Sequence, residues 1–97
     1  MKALGLIEVS GVAAGIDCLD IMCKSANVEF VTWERKLGGR LVTVIVEGDV
    51  SAVTAAVENA CAGAIKTPVA CAVIANPHAE TARLVQLSAS RIKPKGE

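Results

Sequence analysis

The apolar residues of this 97-residue chain fall in short segments, and their spacing switches between the two-residue period of a strand and the 3.6-residue period of a helix. Strand-like segments occupy residues 3–9, 28–36, 41–47 and 69–75, and helical spacing follows the first and the third of them. The order β-α-β-β-α-β predicts a ferredoxin-like α+β fold. In this α/β sandwich a four-stranded antiparallel sheet carries both helices on one face.

The first helix is predicted after a cap and turn at Ser10 and Gly11, and it is expected to end at residues 25–27, with Asn27 as a left-handed stop. Its apolar face is expected to consist of residues that recur at helical spacing, namely Val12, Ile16, Leu19 and Cys23. Asp20 and Lys24 lie on another side, four positions apart, and are expected to form an ion pair.

The second helix is predicted to follow Asp49, a residue suited to the N-cap position, and to continue to Ile65. Its expected apolar row is Val53, Val57, Ala60 and Ala64. A short third helix is predicted over residues 78–87.

Residues 3–87 are expected to form one domain, followed by a polar, mobile C-terminal tail over residues 88–97. Hydrophobic residues make up 53% of the chain. A domain of this length buries only about 60–65% of the surface of its unfolded chain. We therefore expect the domain to cover part of its apolar surface by association with copies of itself.

Charge and cysteine content argue against several classes of protein. Ten basic and ten acidic residues cancel, and aromatic residues are only 2%, so the chain has neither the charge nor the stacking surface of a nucleic-acid-binding protein. The apolar segments are shorter than the roughly 20 residues of a membrane helix, and no secretory signal precedes them, which predicts a cytosolic protein. The four cysteines form no C-x-x-C pair, so we expect no metal or cofactor.

Residues suited to catalysis are sparse. His78 is the single histidine, and Asp17 and Asp20 lie on the polar side of the first predicted helix. The glycines Gly38 and Gly39 join two strands and do not open a helix, so they lack the context of a phosphate-binding loop. We expect no enzymatic activity.

Five stretches stand in a specific order and spacing: residues 3–8 (ALGLIE), 24–28 (KSANV), 37–39 (LGG), 41–50 (LVTVIVEGDV) and 77–78 (PH). In this combination they resemble the BMC-domain shell proteins of bacterial microcompartments, specifically the single-domain hexamers of the propanediol- and ethanolamine-utilisation type. The resemblance implies a structural protein that forms flat, cyclic hexameric tiles in the bacterial cytoplasm. Such tiles join edge to edge, with one another and with other shell proteins, around a set of enclosed metabolic enzymes.

The resemblance also implies a central pore through which small polar metabolites pass. Its loop corresponds to Lys36, Leu37, Gly38, Gly39 and Arg40. Close relatives often have glycine where this chain has Arg40. If its side chain faces the pore, six guanidinium groups would attract anionic metabolites. The alternatives are an ordinary charged hairpin, or an ion pair of Arg40 with Glu34 or Glu47.

Contacts between tiles are implied for the edge residues Lys24, Asn27, Asn76 and His78. The family's edge lysine packs along its counterpart in the next hexamer, and the asparagine helps to position it. Asn76 departs from the family, which has arginine there, and asparagine lacks the planar donor fork of arginine. We therefore expect weaker or rearranged contacts between tiles.

Two other binding modules share the predicted fold. A regulatory small-molecule-binding domain would bind its ligand at a dimer interface near a glycine after the first strand, and Gly11 and Gly15 fit that position. A metal chaperone would carry C-x-x-C where this chain has Ser10-Gly11-Val12. A mass of six copies would indicate the shell protein, and two or four copies the regulatory domain.

Overall fold

The structure is a computed structural model that describes residues 1–35 and 40–92. Its elements in chain order are β1 (Ala3–Ser10), α1 (Val12–Ser25), β2 (Glu29–Arg35), β3 (Leu41–Gly48), α2 (Val50–Gly63), β4 (Ala70–Ile74) and α3 (Ala79–Ile92). The predicted order of strands and helices is confirmed.

The four strands form one antiparallel sheet in the order β2-β3-β1-β4. Ala3 is paired with Gly48 at one end of β1, and Ser10 with Leu41 at the other. The antiparallel ferredoxin-like arrangement is therefore confirmed, with β2 and β4 as the edge strands.

Side chains alternate between the two faces of the sheet, as the strand period requires. Ile7 and Val9 of β1 point with Val44 and Val46 of β3 into the main core, which α1 and α2 cover. A Cβ atom at Gly5 would lie 2.8 Å from a methyl group of Val53, so glycine at this position permits close contact between β1 and α2.

The buried face of α1 differs from the predicted one. Val12 and Ile16 are 40% and 50% exposed, and Cys23 is exposed. The buried residues of this helix are Ala14, Gly15, Cys18 and Met22. A Cβ atom at Gly15 would lie 2.9 Å from Val42, so glycine is needed at this point of closest approach between helix and sheet. Of the predicted face, only Leu19 packs against the core.

α3 packs on the opposite face of the sheet, where Val85 joins Leu4 and Ile45 in a second, smaller core. The prediction that this helix ends at residue 87 is wrong, because it continues to Ile92 and buries Ser88. Of the predicted mobile tail, residues 93–97 lie outside the described residues.

The ends of α1 and α2 differ in detail from the predictions. Gly11, with φ +101°, and not Ser10, occupies the N-cap of α1. Asp49 occupies the N-cap of α2, as predicted, but its side chain makes no capping hydrogen bond. Asn27 is not left-handed, since glycine alone has positive φ among the described residues. α2 ends at Gly63, two residues before the predicted end at Ile65.

Candidate functional site

The sheet has two ends that differ in the residues they present. Because β1 runs antiparallel to β3 and β4, Ala3, Gly48 and Ile74 lie near one end, here called the Ala3 end. Ser10 and Leu41 lie at the other, here called the Ser10 end. Seven steps of about 3.3 Å along the eight residues of β1 separate the two ends by roughly 23 Å.

Arg40, the predicted pore residue within the described part of the chain, lies at the Ser10 end. It is exposed and directly precedes β3. Its carbonyl oxygen accepts a 2.6 Å hydrogen bond from the amide of Gly11, which ties the start of β3 to the turn before α1. The other predicted pore residues, Lys36, Leu37, Gly38 and Gly39, lie outside the described residues.

The ion-pair alternatives for Arg40 are not realised in the described structure. Glu47 is paired with Leu4 at the Ala3 end, six residues along β3 from Leu41, so Arg40 cannot reach it. The carboxylate of Glu34 instead accepts a hydrogen bond from the hydroxyl of Ser88. Neither ion pair of the described residues includes Arg40.

Lys24 lies at the C-terminal end of α1, which returns the chain to the Ala3 end. Its ammonium group lies 2.8 Å from a carboxylate oxygen of Asp20, so the predicted ion pair is confirmed. The hydrogen bond with Asp20 and the charge of that carboxylate raise the pKa of Lys24. Both side chains are largely exposed, and an exposed pair of this kind exchanges its partners at little cost.

Asn27 lies beside the ends of β2 and β3. A Cβ atom at Gly48 would lie 2.9 Å from the carbonyl oxygen of Asn27, so this approach requires glycine. Asn27 also lines a polar cavity of about 560 Å³ at the Ala3 end. The other lining residues are Met1, Lys2, Glu29, Glu47 and Gly48.

Asn76 and His78 follow β4 at the same end, and both are exposed. The ring nitrogen Nδ1 of His78 accepts a 3.0 Å hydrogen bond from the amide of Glu80, and the His78 carbonyl accepts another from the amide of Ala82. His78 therefore caps the N-terminus of α3. Sequence reasoning missed this role; the signal was a polar residue just before a predicted helix.

Both edges of the sheet expose apolar side chains. Beyond the β4 edge, Ile65 and Val69 are 69% and 61% exposed. The β2 edge borders a groove of about 310 Å³ between α1 and the end of α3. Its exposed apolar residues are Ile16, Phe30 and Ile92. Sequence reasoning missed the groove because it placed Ile16 in the core.

Across residues 1–35 and 40–92, no group of three or more His, Cys, Asp or Glu side chains is arranged to hold a metal ion. No helix in the same ranges combines the length and apolar character needed to cross a membrane.

Known proteins resemble this chain along most of its length. The BMC domain family model matches residues 3–77. The bacterial microcompartment shell protein PduA of Citrobacter freundii is 44% identical over 86 residues, which cover 87% of this chain and 91% of PduA. The bacterial microcompartment shell protein EutK of Escherichia coli K12 is 48% identical over 67 residues, which cover 69% of this chain and 40% of EutK.

A solved structure agrees with this fold. The crystal structure of a microcompartments protein from Desulfitobacterium hafniense DCB superposes with a TM-score of 0.74 and 28% sequence identity. The match covers 100% of this chain and 51% of the other. The chain therefore belongs to the BMC-domain family of bacterial microcompartment shell proteins.

Proposed function

We propose that this chain is a structural shell protein that forms cyclic hexameric tiles. The tiles join edge to edge, with one another and with other shell proteins, into a shell around metabolic enzymes in the bacterial cytoplasm. Small polar metabolites pass through a central pore. Relatives that share 44% and 48% identity with the chain are named as microcompartment shell proteins, which supports the shell role.

The observation that carries this proposal is the separation of the two groups of predicted site residues. Arg40 lies at the Ser10 end of the sheet, while Lys24, Asn27 and Asn76 lie at the Ala3 end. A tile needs such a separation, because its pore residues meet at the axis and its joining residues face outward at the rim. A small-molecule binding site would instead bring its polar groups together.

Two different apolar surfaces support assembly into a ring. A cyclic oligomer with more than two copies joins each subunit to the next through two distinct surfaces. The chain exposes the β4 edge on one side of the sheet and the groove beside β2 on the other. We propose that the β4 edge of one subunit meets the groove of its neighbour, which would cover Val69 of one chain and Phe30 of the next.

The pore would be anion-selective if the exposed Arg40 lies near the axis. Six copies of this side chain would form a ring of positive charge, which concentrates anions and disfavours cations. The hydrogen bond from the Gly11 amide fixes the backbone from which Arg40 projects.

The regulatory-module alternative has less support. Gly15 is buried against β3, where a Cβ atom would lie 2.9 Å from Val42, so a ligand has no space beside it. Gly11 has open space around its Cα atom, but its amide already donates to the Arg40 carbonyl.

Native mass spectrometry and negative-stain electron microscopy of the purified chain test the proposed function. We expect a mass of six copies and images of hexagonal tiles or sheets. A species of two or four copies without tiles would contradict the proposal and would favour the regulatory module.

A further inference from the structure

Two cysteines that are ten positions apart in the sequence meet between α2 and β4. Cys61 is half-buried on α2, and Cys71 lies on β4. Their sulfur atoms are 2.8 Å apart. A disulfide bond is about 2.05 Å long, so a relative movement of about 0.8 Å would bring these sulfurs to bonding distance.

The backbone holds the two thiols in this arrangement. Cys71 is paired with Ile7, a core residue of β1, so its side chain points to the face that α2 covers. The segment between the cysteines is fixed near both ends: the amide of Ile65 donates to the Asp17 carboxylate at 2.9 Å, and the amide of Val69 donates to a β1 carbonyl at 2.8 Å. Little conformational freedom remains to be lost when the sulfurs bond.

We propose that Cys61 and Cys71 form a modification site in which a peroxide joins α2 to β4 through an intramolecular disulfide bond. In the first step a thiolate attacks the O–O bond, becomes a sulfenic acid, and releases hydroxide, which takes up a proton to form water. In the second step the other thiol attacks the sulfenic sulfur. The S–S bond forms, the S–O bond breaks, and the hydroxyl group leaves with the proton of that thiol as a second water. The two thiols lose two electrons, and the peroxide gains them.

Cys71 holds its proton in the reduced protein. Partial burial, and then the hydrogen bond with Cys61, raise the pKa of Cys71 to about 11, so this thiol stays protonated at neutral pH. The two steps balance in the same way whichever of the two thiols attacks the peroxide first.

The crosslink would strengthen the shortest strand of the sheet. β4 is an edge strand that pairs only with β1, and its residues from Ala70 to Val73 are exposed. A covalent link to α2 limits local opening of such a strand. This inference goes beyond the proposed shell role and does not depend on it, because both sulfurs belong to one chain.

The other two cysteines provide a competitor and a control. Cys18 is buried on α1, and burial, the charge of Asp17 and the neighbouring Cys61 raise its pKa. It is the thiol best placed to compete for Cys61. Cys23 is exposed at the end of α1, and a Cys23→Ser variant removes an exposed thiol without changing the pair.

Peptide mapping of the full chain after treatment with hydrogen peroxide tests the proposal. Trypsin cleaves after Lys66, between the two cysteines, so the crosslink leaves residues 41–66 joined to residues 67–83. We expect this joined species in the unreduced digest of the wild type and of Cys23→Ser. We expect its loss in Cys61→Ser and in Cys71→Ser. A Cys18–Cys61 link, a link between chains, or free Cys61 and Cys71 thiols after oxidation would overturn the proposal.

Hydrogen exchange tests the expected effect on β4. In the oxidised wild type, amides of Ala70–Ile74 should exchange about 10- to 100-fold more slowly than in the reduced protein. The same treatment should leave exchange in Cys71→Ser unchanged. Equal rates in both states of the wild type would contradict the stabilisation of β4. Native mass spectrometry of the reduced chain reports separately on the proposed hexamer, so failure of one proposal is distinguishable from failure of the other.

Discussion

The amide of Gly11 donates a 2.6 Å hydrogen bond to the carbonyl oxygen of Arg40. The bond joins the turn between β1 and α1 to the residue that directly precedes β3. Gly11 has φ +101°, a backbone conformation that residues with a side chain rarely adopt. The backbone position of Arg40 therefore depends on a glycine 29 positions earlier in the chain.

Replacement of Gly11 by alanine should destabilise the domain by about 1–3 kcal/mol, the usual cost of a strained backbone conformation. A Cβ atom at this site meets no other atom within 4 Å, so the cost would come from the backbone alone. Urea unfolding measures the change. Gly63→Ala is the control, because the nearest atom, on Ile21, lies 3.9 Å away, and alanine favours the helix. Equal stability of Gly11→Ala and the wild type would contradict the prediction.

Arg40→Gly should abolish the preference of the assembled tile for anionic over neutral solutes. Its side chain is exposed, and in the proposed ring six copies would supply the positive charge of the pore. Solute flux through assembled shells measures the preference, which should also decrease with ionic strength in the wild type. Arg83→Gln is the matched control, since Arg83 forms an exposed ion pair with Glu80 on α3. Unchanged selectivity in Arg40→Gly would exclude a pore role for this side chain.

Lys24→Ala and Lys24→Asp should leave the hexamer intact and abolish ordered sheets. The side chain of Lys24 is 75% exposed at the end of α1, so its loss should not change the fold. Native mass spectrometry reports on the hexamer, and electron microscopy on the sheets. Lys66→Ala removes another exposed lysine and should retain both. Sheets that persist in both Lys24 variants would show that another residue joins the tiles.

The order of elements could be predicted because strand and helix periods are local properties of the sequence. The packing of α1 could not be predicted from such local properties. Periodicity selects an apolar row that includes Val12 and Ile16 as the core face, whereas the close approach of the helix to Val42 of β3 leaves no room for a side chain at Gly15 and turns a different row inward. Val12 and Ile16 are left exposed, and Ile16 borders the groove beside β2.

The extent of α3 depended on contacts between residues far apart in the sequence. The stretch after Leu87 is polar, which is typical of a tail, but the hydroxyl of Ser88 lies 2.8 Å from that of Thr32 and also donates to Glu34. These partners are 54 or more positions away and satisfy the buried hydroxyl, so the helix can continue. No sequence pattern within residues 88–92 indicates these distant contacts.

Alkaline pH should destabilise the reduced protein through Cys71. Its pKa is raised from 9.0 to about 11 by partial burial and by the hydrogen bond with Cys61, so the folded state holds the thiol proton more tightly than the unfolded state does. This contribution to stability is complete below pH 9 and is lost as the pH rises toward and through 11.

Thermal unfolding under reducing conditions should show a smaller decrease in Tm over this pH range for Cys71→Ala than for the wild type. Cys23→Ala is the comparison: partial burial and the charge of Asp20 also raise the pKa of Cys23, but without a thiol partner among the described residues, so this variant should reduce the decrease in Tm less than Cys71→Ala does. The same decrease in Cys71→Ala and the wild type would contradict the prediction.

Asn76→Arg should strengthen the joining of tiles. Asn76 is exposed in the turn after β4, at the same end of the sheet as Lys24, and the planar guanidinium of arginine offers several donors to carbonyl and carboxylate acceptors across a junction. The variant should form ordered sheets at a lower protein concentration than the wild type, by roughly tenfold if the new contacts are worth about 1.4 kcal/mol per tile. Sedimentation at increasing protein concentration, followed by electron microscopy of the pellet, measures this threshold.

Asn59→Arg adds the same charge to the exposed side of α2 and should leave the threshold unchanged. This control separates a specific contact from a general effect of charge. An unchanged threshold in Asn76→Arg would mean that the residue at this position does not contribute to contacts between tiles.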